Sequence, residues 1–272
     1  MAKQLFRPGI FILLPLFVIA TALKIWIASV QPTFTTLRTV NLGGENAYYR
    51  PRGDEVSGFK RSQAKYHRSP CPALNTLANH GYLSRDGKDL TPDIIIQAIV
   101  QVYNLDAALA EVLVSPLADR FTLADLGEHN VIEHDASLVH DDAWKGGDPS
   151  YVNATLVSNL LSRSNEAQQL SKEALAAHRR EREAESTATT SDFEQTFTFQ
   201  RALISYSESA IMLLVMGDHG TSTLSVDHAH SFLMEERIPD DYEKPTSPVT
   251  LFWCMWTAMQ LKVLSFLSPI LI

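Results

Sequence analysis

The sequence is poor in the features that most quickly betray a protein's business. Two cysteines, Cys71 and Cys254, stand in 272 residues, so a disulfide framework is excluded and at most one bridge could form. An exposed free thiol is unusual in a secreted protein, which points to a buried or chemically engaged role for at least one of them. Positive charge is also short: 23 Lys and Arg against 31 Asp and Glu give a formal net charge of -8. Nucleic acid, which calls for a basic face, is therefore not an expected partner. The acidic balance suits a soluble protein and names no substrate. Alternating apolar and polar runs are sparse and no internal repeat is present, so the expected fold class is mainly α.

The length is enough for a single domain that buries roughly 70–75% of its unfolded surface and encloses a cofactor. The first residues stand outside that domain. Lys3 and Arg7 precede the apolar run 10–20, and Ala20-Thr21-Ala22 has the small-residue pattern of a cleavage site. This predicts a signal peptide over residues 1–22, with an uncleaved membrane anchor over residues 1–32 as the alternative. The folded domain is expected over residues 33–248. Asn153-Ala154-Thr155 is a glycosylation sequon, usable in a secretory compartment. Residues 249–272 are strongly apolar with one charge, Lys262, and read either as a buried terminal helix or as a membrane tail.

Between these ends the punctuation is helical. Residues 33–68 are broken by Gly43-Gly44, Pro51 and Gly53 and read as irregular. A short helix over 72–80 should stop at Gly81, and Thr91-Pro92-Asp93 should start another over 94–103. Further helices are expected over 105–118, 150–161, 171–185, 193–216 and 225–236. The charge run 179–185 reads as a solvated face, residues 186–191 as a polar linker, and residues 128–142 as an acidic loop carrying His129, His134 and His140.

Three places carry chemistry. Cys71, between Pro70 and Pro72, sits where a helix begins; backbone N–H groups and the helix dipole there favour a thiolate and should lower its pKa. A buried cysteine packing as a small apolar group is the plainer reading. In the loop, Glu133, the carbonyl of His134 and Ser137 could offer oxygen ligands to a hard cation such as Mg²⁺ or Mn²⁺. A solvated acidic loop, or a zinc or other metal site using the loop's histidines, would fit the same residues. Glu208 is the sole charged residue between Arg201 and Asp218, inside an apolar helical run. Such a carboxylate lines a cavity, is paired, or turns to water; burial would raise its pKa into the range of acid–base work.

Taken in order, Pro70-Cys71-Pro72 with Ala73-Leu74-Asn75, the run Glu133-His134-Asp135-Ala136-Ser137-Leu138, the helical Glu208 and Glu235-Glu236-Arg237-Ile238-Pro239 resemble the fungal chloroperoxidase and unspecific peroxygenase family. The resemblance covers roughly residues 68–245. It implies a single helical domain enclosing one haem b and a peroxidase or peroxygenase activity on hydrogen peroxide and small organic substrates, with halides as a further possibility and fungal secondary metabolism as a setting. It also implies Cys71 as the axial ligand to haem iron, a cation beside a haem propionate held by Glu133, His134 and Ser137, and Glu208 as the distal acid–base group. His134 partners that glutamate in the shorter-chain branch, whereas longer-chain relatives use an arginine at the place of Arg201; this chain has both. A haem-binding paralogue with little catalysis and a non-haem metalloenzyme built on residues 128–142 are the competing readings.

Overall fold

Capping chemistry decides where most helices begin. The structure, a computed structural model, describes residues 37–218, 221–245 and 247–268; the expected signal or anchor lies outside them. Helix α1 (Pro72–Asn79) starts at Cys71 with proline in its first turn and ends at His80 and Gly81. Gly81 has φ +73°, and a Cβ there would approach the Glu45 carbonyl oxygen to 2.9 Å, so the stop requires glycine. Helix α2 (Pro92–Tyr103) is capped by the Thr91 hydroxyl and ended by Asn104 in the left-handed region. Helix α3 (Ala107–Val114) is capped by Asp106 and is shorter than expected, because Pro116 has no N–H with which to continue the helical ladder. Helix α4 (Ala154–Leu161) begins at Asn153, whose side chain accepts from the Thr155 and Leu156 N–H groups.

Helix α5 (Lys172–Thr189) runs on through most of the expected linker, with Ser186 fully buried. The long helix expected over 193–216 is two pieces, α6 (Phe193–Thr196) and α7 (Phe199–Met216), because Thr198 takes an extended conformation and caps the second piece. Helices α8 (Val226–Leu233) and α9 (Leu251–Leu267) complete the set of nine among the described residues. Strand content is slight. Strand β1 (Leu37–Thr39) pairs antiparallel with β6 (Glu243–Pro245), β2 (Val56–Ser57) parallel with β3 (Tyr66–His67), and β4 (Gln169–Leu170) antiparallel with β5 (Leu224–Ser225). The fold is mainly α, as the periodicity implies.

Helix α9 packs along α7 and α5. Its buried face, Cys254, Thr257, Ala258, Leu261 and Leu264, recurs every three to four residues. Its one charge, Lys262, meets Glu183 at 3.2 Å. Truncating a core residue such as Leu261, 0% exposed, to alanine would cost about 2–5 kcal/mol. Residues 251–267 thus form a packed helix, and no helix among the described residues is long and apolar enough to cross a membrane.

One expectation fails outright. The charge run on α5 does not simply face water, since Arg179 is 1% and Arg182 3% exposed. Arg182 turns inward because loop 128–142 lies on that side of the helix. It donates to the Ser137 carbonyl (2.8 Å) and to Asp142 (2.9 Å), whose carboxylate also accepts from the Ala136 N–H (3.0 Å). The Arg179 guanidinium lies 5.6 Å from the centre of the Tyr206 ring. These two arginines tie α5, α7 and the loop into one body.

Candidate active site

Cys71 caps α1, and its backbone is held from both sides. Pro70 and Pro72 carry no N–H, and the one N–H between them, that of Cys71, donates to the Ser69 hydroxyl at 3.2 Å. Ser69 is in turn gripped by Asn75, one turn into α1: the Asn75 oxygen accepts from the Ser69 N–H (2.8 Å) and hydroxyl (3.1 Å), while its amide donates to the Ser69 carbonyl (2.7 Å). The sulfur does not behave as the local reading predicts. Burial pushes the Cys71 thiol up to about 11; the N–H groups of Leu74 and Ala73 pull it down, and the charges of Glu208 and Glu236 add to the rise. The helix terminus acts as expected, and desolvation outweighs it. Only a cationic partner at the sulfur would reverse that balance, as a coordinated metal ion does.

Glu208 projects from the middle of α7, and its carboxylate meets His134 Nε2 at 3.3 Å. The Nδ1–H of His134 donates to the Asp135 carbonyl at 2.7 Å, which leaves Nε2 to face Glu208. The edge of Phe197 packs on the same imidazole, with ring centres 5.9 Å apart. His134 is buried, whereas Glu208 keeps 55% of its side-chain surface accessible. Burial by the groups packed around it nonetheless acts on the Glu208 carboxyl. Cys71, partly accessible and also subject to burial, senses the Glu208 charge. Thiol and carboxylate thus stand within electrostatic reach of each other.

Burial would raise the Glu208 carboxyl, yet it lies below its ordinary value, because His134 beside it, and Arg179 and His140 farther off, outweigh desolvation. Burial would lower His134, and Glu208 raises it above its ordinary value. The pair rests as imidazolium and carboxylate. Arg201 does not join it, since its guanidinium donates to the carbonyls of Thr196 and Asn130, the latter at 2.5 Å, and so pins the start of α7 to the loop.

In that loop His129 Nδ1 meets the Glu133 carboxylate at 2.6 Å, and with Asp135 they form a group whose ligand atoms all lie within 4.8 Å of one another. Burial raises both carboxyls, that of Glu133 and that of Asp135. Two buried carboxylates of this kind suit a cation, which would relieve both. Ser137 is placed differently: its hydroxyl accepts from the N–H groups of Val139 (3.3 Å) and His140 (3.2 Å), closing a turn. Of the expected oxygen ligands, Glu133 fits a cation best, and Asp135 is the neighbour that sequence reading left out. The signal available for the His129–Glu133 contact was their four-residue spacing.

A family model described as "Peroxidase, family 2" matches residues 56–247. The chain belongs to that family. The match takes in every residue placed at the site, from Cys71 to Glu208. An aromatic peroxygenase of Cyclocybe aegerita is 31% identical over 233 residues, covering 75% of this chain and 62% of that protein. An aromatic peroxygenase of Coprinellus radians is 32% identical over 206 residues, 64% of this chain and 77% of that one. A dothistromin biosynthesis peroxidase of Dothistroma septosporum is 27% identical over 151 residues, 46% of this chain and 33% of that one. The chain therefore spans less than two thirds of the length of the first of these relatives. Membership bears out the resemblance read from the motifs, to the fungal haem-thiolate peroxidases and peroxygenases, and it implies haem. For a family 2 peroxidase, the residue most easily missed from sequence is Arg179: it lies in a run of charges that looks solvent-facing, and nothing in the spacing marks it as buried near Glu208.

Proposed function

We propose that this protein is a haem-thiolate peroxidase or peroxygenase that uses hydrogen peroxide to oxidise or oxygenate small organic substrates. The observation that carries the reading is the set of groups brought within electrostatic reach of one another: Cys71 at the N-cap position of α1, and the Glu208 carboxylate paired with His134 at 3.3 Å. The residues fit haem b, since the partly accessible Cys71 sulfur, its thiol pushed up by burial, needs a cationic partner to become a thiolate, and ferric iron would supply one. When bound, the haem would be held by Cys71 and would supply the redox chemistry on peroxide, a thiolate ligand favouring O–O cleavage.

The chain's own part is proton handling and placement. Glu208, ionised at rest, accepts a proton from incoming peroxide and passes it to the departing oxygen, a transfer a carboxylate makes with little movement. His134 holds the carboxylate in place and keeps it ionised. Its own Nδ1–H, fixed on the Asp135 carbonyl, prevents the ring from turning. A cation, Mg²⁺ or Mn²⁺, would be held by Glu133 with the His134 carbonyl and Ser137, and would neutralise a haem propionate. Ser137 would then give up one of its two backbone contacts. Halide oxidation belongs to the same chemistry. A place in secondary metabolism is proposed by analogy with the dothistromin peroxidase, and passage through the secretory pathway from the signal-like residues 1–22 and the Asn153 sequon.

The test is the absorption spectrum of the reduced, CO-treated protein. A strongly red-shifted Soret band is expected, and Cys71→His should retain some haem while losing that shift. A wild-type protein with no Soret band overturns the reading in favour of a non-haem site. A red-shifted band that persists in Cys71→His moves the ligand elsewhere, with Cys254 next in line.

A further inference from the structure

The segment Glu235-Glu236-Arg237-Ile238-Pro239 has no part in the chemistry above, yet one of its residues reaches the cysteine loop. Glu236 is 2% exposed, and its backbone takes the left-handed conformation at φ +49° without being glycine. Its two carboxylate oxygens are used separately. One accepts from the Asn75 amide at 2.5 Å, and the other meets the Arg50 guanidinium at 3.0 Å. Its backbone carbonyl accepts from the Asn79 amide at 3.1 Å, and Asn79 in turn receives both a 3.1 Å and a 2.8 Å bond from buried Arg68. Asn75 is the residue that grips Ser69, and Ser69 receives the Cys71 N–H.

We propose that Glu236 is a positioning residue for the axial cysteine: anchored by Arg50, it orients the Asn75 amide, which fixes Ser69 and thereby the direction in which the Cys71 sulfur points. The inference rests on the reading of Cys71 as haem ligand.

Three features of the contact chain support this. Asn75 is 0% exposed, and its amide nitrogen has two acceptors in reach, the Ser69 carbonyl and Glu236, so both amide protons are committed. Its oxygen is committed to Ser69, which leaves the amide one orientation in which every bond is made. The assignment of oxygen and nitrogen is thus set by the carboxylate, which can only accept. A simple stabilising ion pair would need none of this: Arg50 and Glu236 could pair without touching α1. The left-handed backbone at Glu236 holds its side chain and its carbonyl toward the same helix, which a relaxed conformation would not do.

Glutamine at 236 separates positioning from bulk stability. An amide offers one acceptor where the carboxylate offers two, so Glu236→Gln must put a donor against either Asn75 or Arg50. The reduced CO spectrum of Glu236→Gln, at haem content and melting temperature measured alongside, is expected to show the red-shifted thiolate band reduced about two-fold relative to wild type, with the remainder unshifted. Glu236→Asp, which keeps both acceptors, should restore most of it. Arg50→Gln, made at the solvent-facing end of the chain of contacts, should show the same change at smaller amplitude and serves if Glu236→Gln yields no haem protein. An undiminished thiolate band in Glu236→Gln, or in Arg50→Gln should that variant be the one recovered, overturns the inference. A wild-type protein without the red-shifted band instead removes the ligand assignment on which it rests.

Discussion

Glu208→Gln isolates one proton. Glutamine keeps the length of the side chain and stays within reach of His134, 3.3 Å away in the wild type. What it cannot do is take a proton from peroxide. Losing a general acid–base group costs about 10²–10⁴-fold in rate, or roughly 2.7–5.4 kcal/mol of barrier. The geometry places the single variant near the lower figure. Without the Glu208 carboxylate, burial lowers the His134 pKa, so its Nε2 is left neutral and close enough to accept the proton in its stead. The double variant Glu208→Gln, His134→Ala removes that substitute and should fall toward about 10⁴. Rapid mixing of ferric protein with peroxide, normalised to haem, reads both. Full peroxide reactivity in Glu208→Gln at normal haem loading would refute the argument and leave the proton without an acceptor.

His134→Ala alone strips Glu208 of its nearest counter-charge while leaving burial in force. The Glu208 carboxyl, held below its ordinary value in the wild type, should then rise, and the acid limb of the pH–rate profile should move to higher pH. An unmoved limb counts against the ion pair. Glu133→Ala should lower both cation content and haem retention, measured by elemental mass spectrometry and by absorbance; equal occupancy in variant and wild type speaks against the cation site. Arg182→Met leaves Asp142 buried without its partner, and urea unfolding should show a loss of about 3–5 kcal/mol. A loss under about 1 kcal/mol would mean that Asp142 finds compensation elsewhere.

What could be read from the sequence is what depends on near neighbours. Cys71 at the start of a helix, Gly81 at its end, Thr91 before Pro92 and a lone Glu208 in an apolar run are all local patterns, and the structure places each where its pattern says. The break before α7 is legible too, in Thr198 as a capping residue, but the recurring Phe193, Phe197 and Phe199 across it masks it. Whether His134 or Arg201 meets Glu208 was not legible. Both lie at plausible spacings, and only the path of loop 128–142 brings one to the carboxylate and the other to the Asn130 and Thr196 carbonyls. The direction of the Cys71 pKa failed for a related reason: the helix terminus acts over one turn, whereas desolvation sums over everything that packs around the sulfur. The burial of Arg179 and Arg182 depends on which side of α5 the loop covers, a fact carried by no residue in α5 itself.

The bond from Glu236 to Asn75 joins positions 161 residues apart, and β1 near the start of the described chain is completed by β6, later still. A ribosome delivers the cysteine loop long before it delivers the groups that hold it. Closing a loop of that length costs about 2 kcal/mol more than closing one of 20 residues, so these contacts should form late in folding. The emerging chain therefore carries the whole cysteine motif before the distant contacts that orient it are available. Cofactor capture at that stage would trap wrong ligation. Orderly maturation of this protein should consequently have haem arriving after synthesis is nearly complete, and chains interrupted before residue 236 should bind haem poorly even though every residue of the cysteine motif is already present.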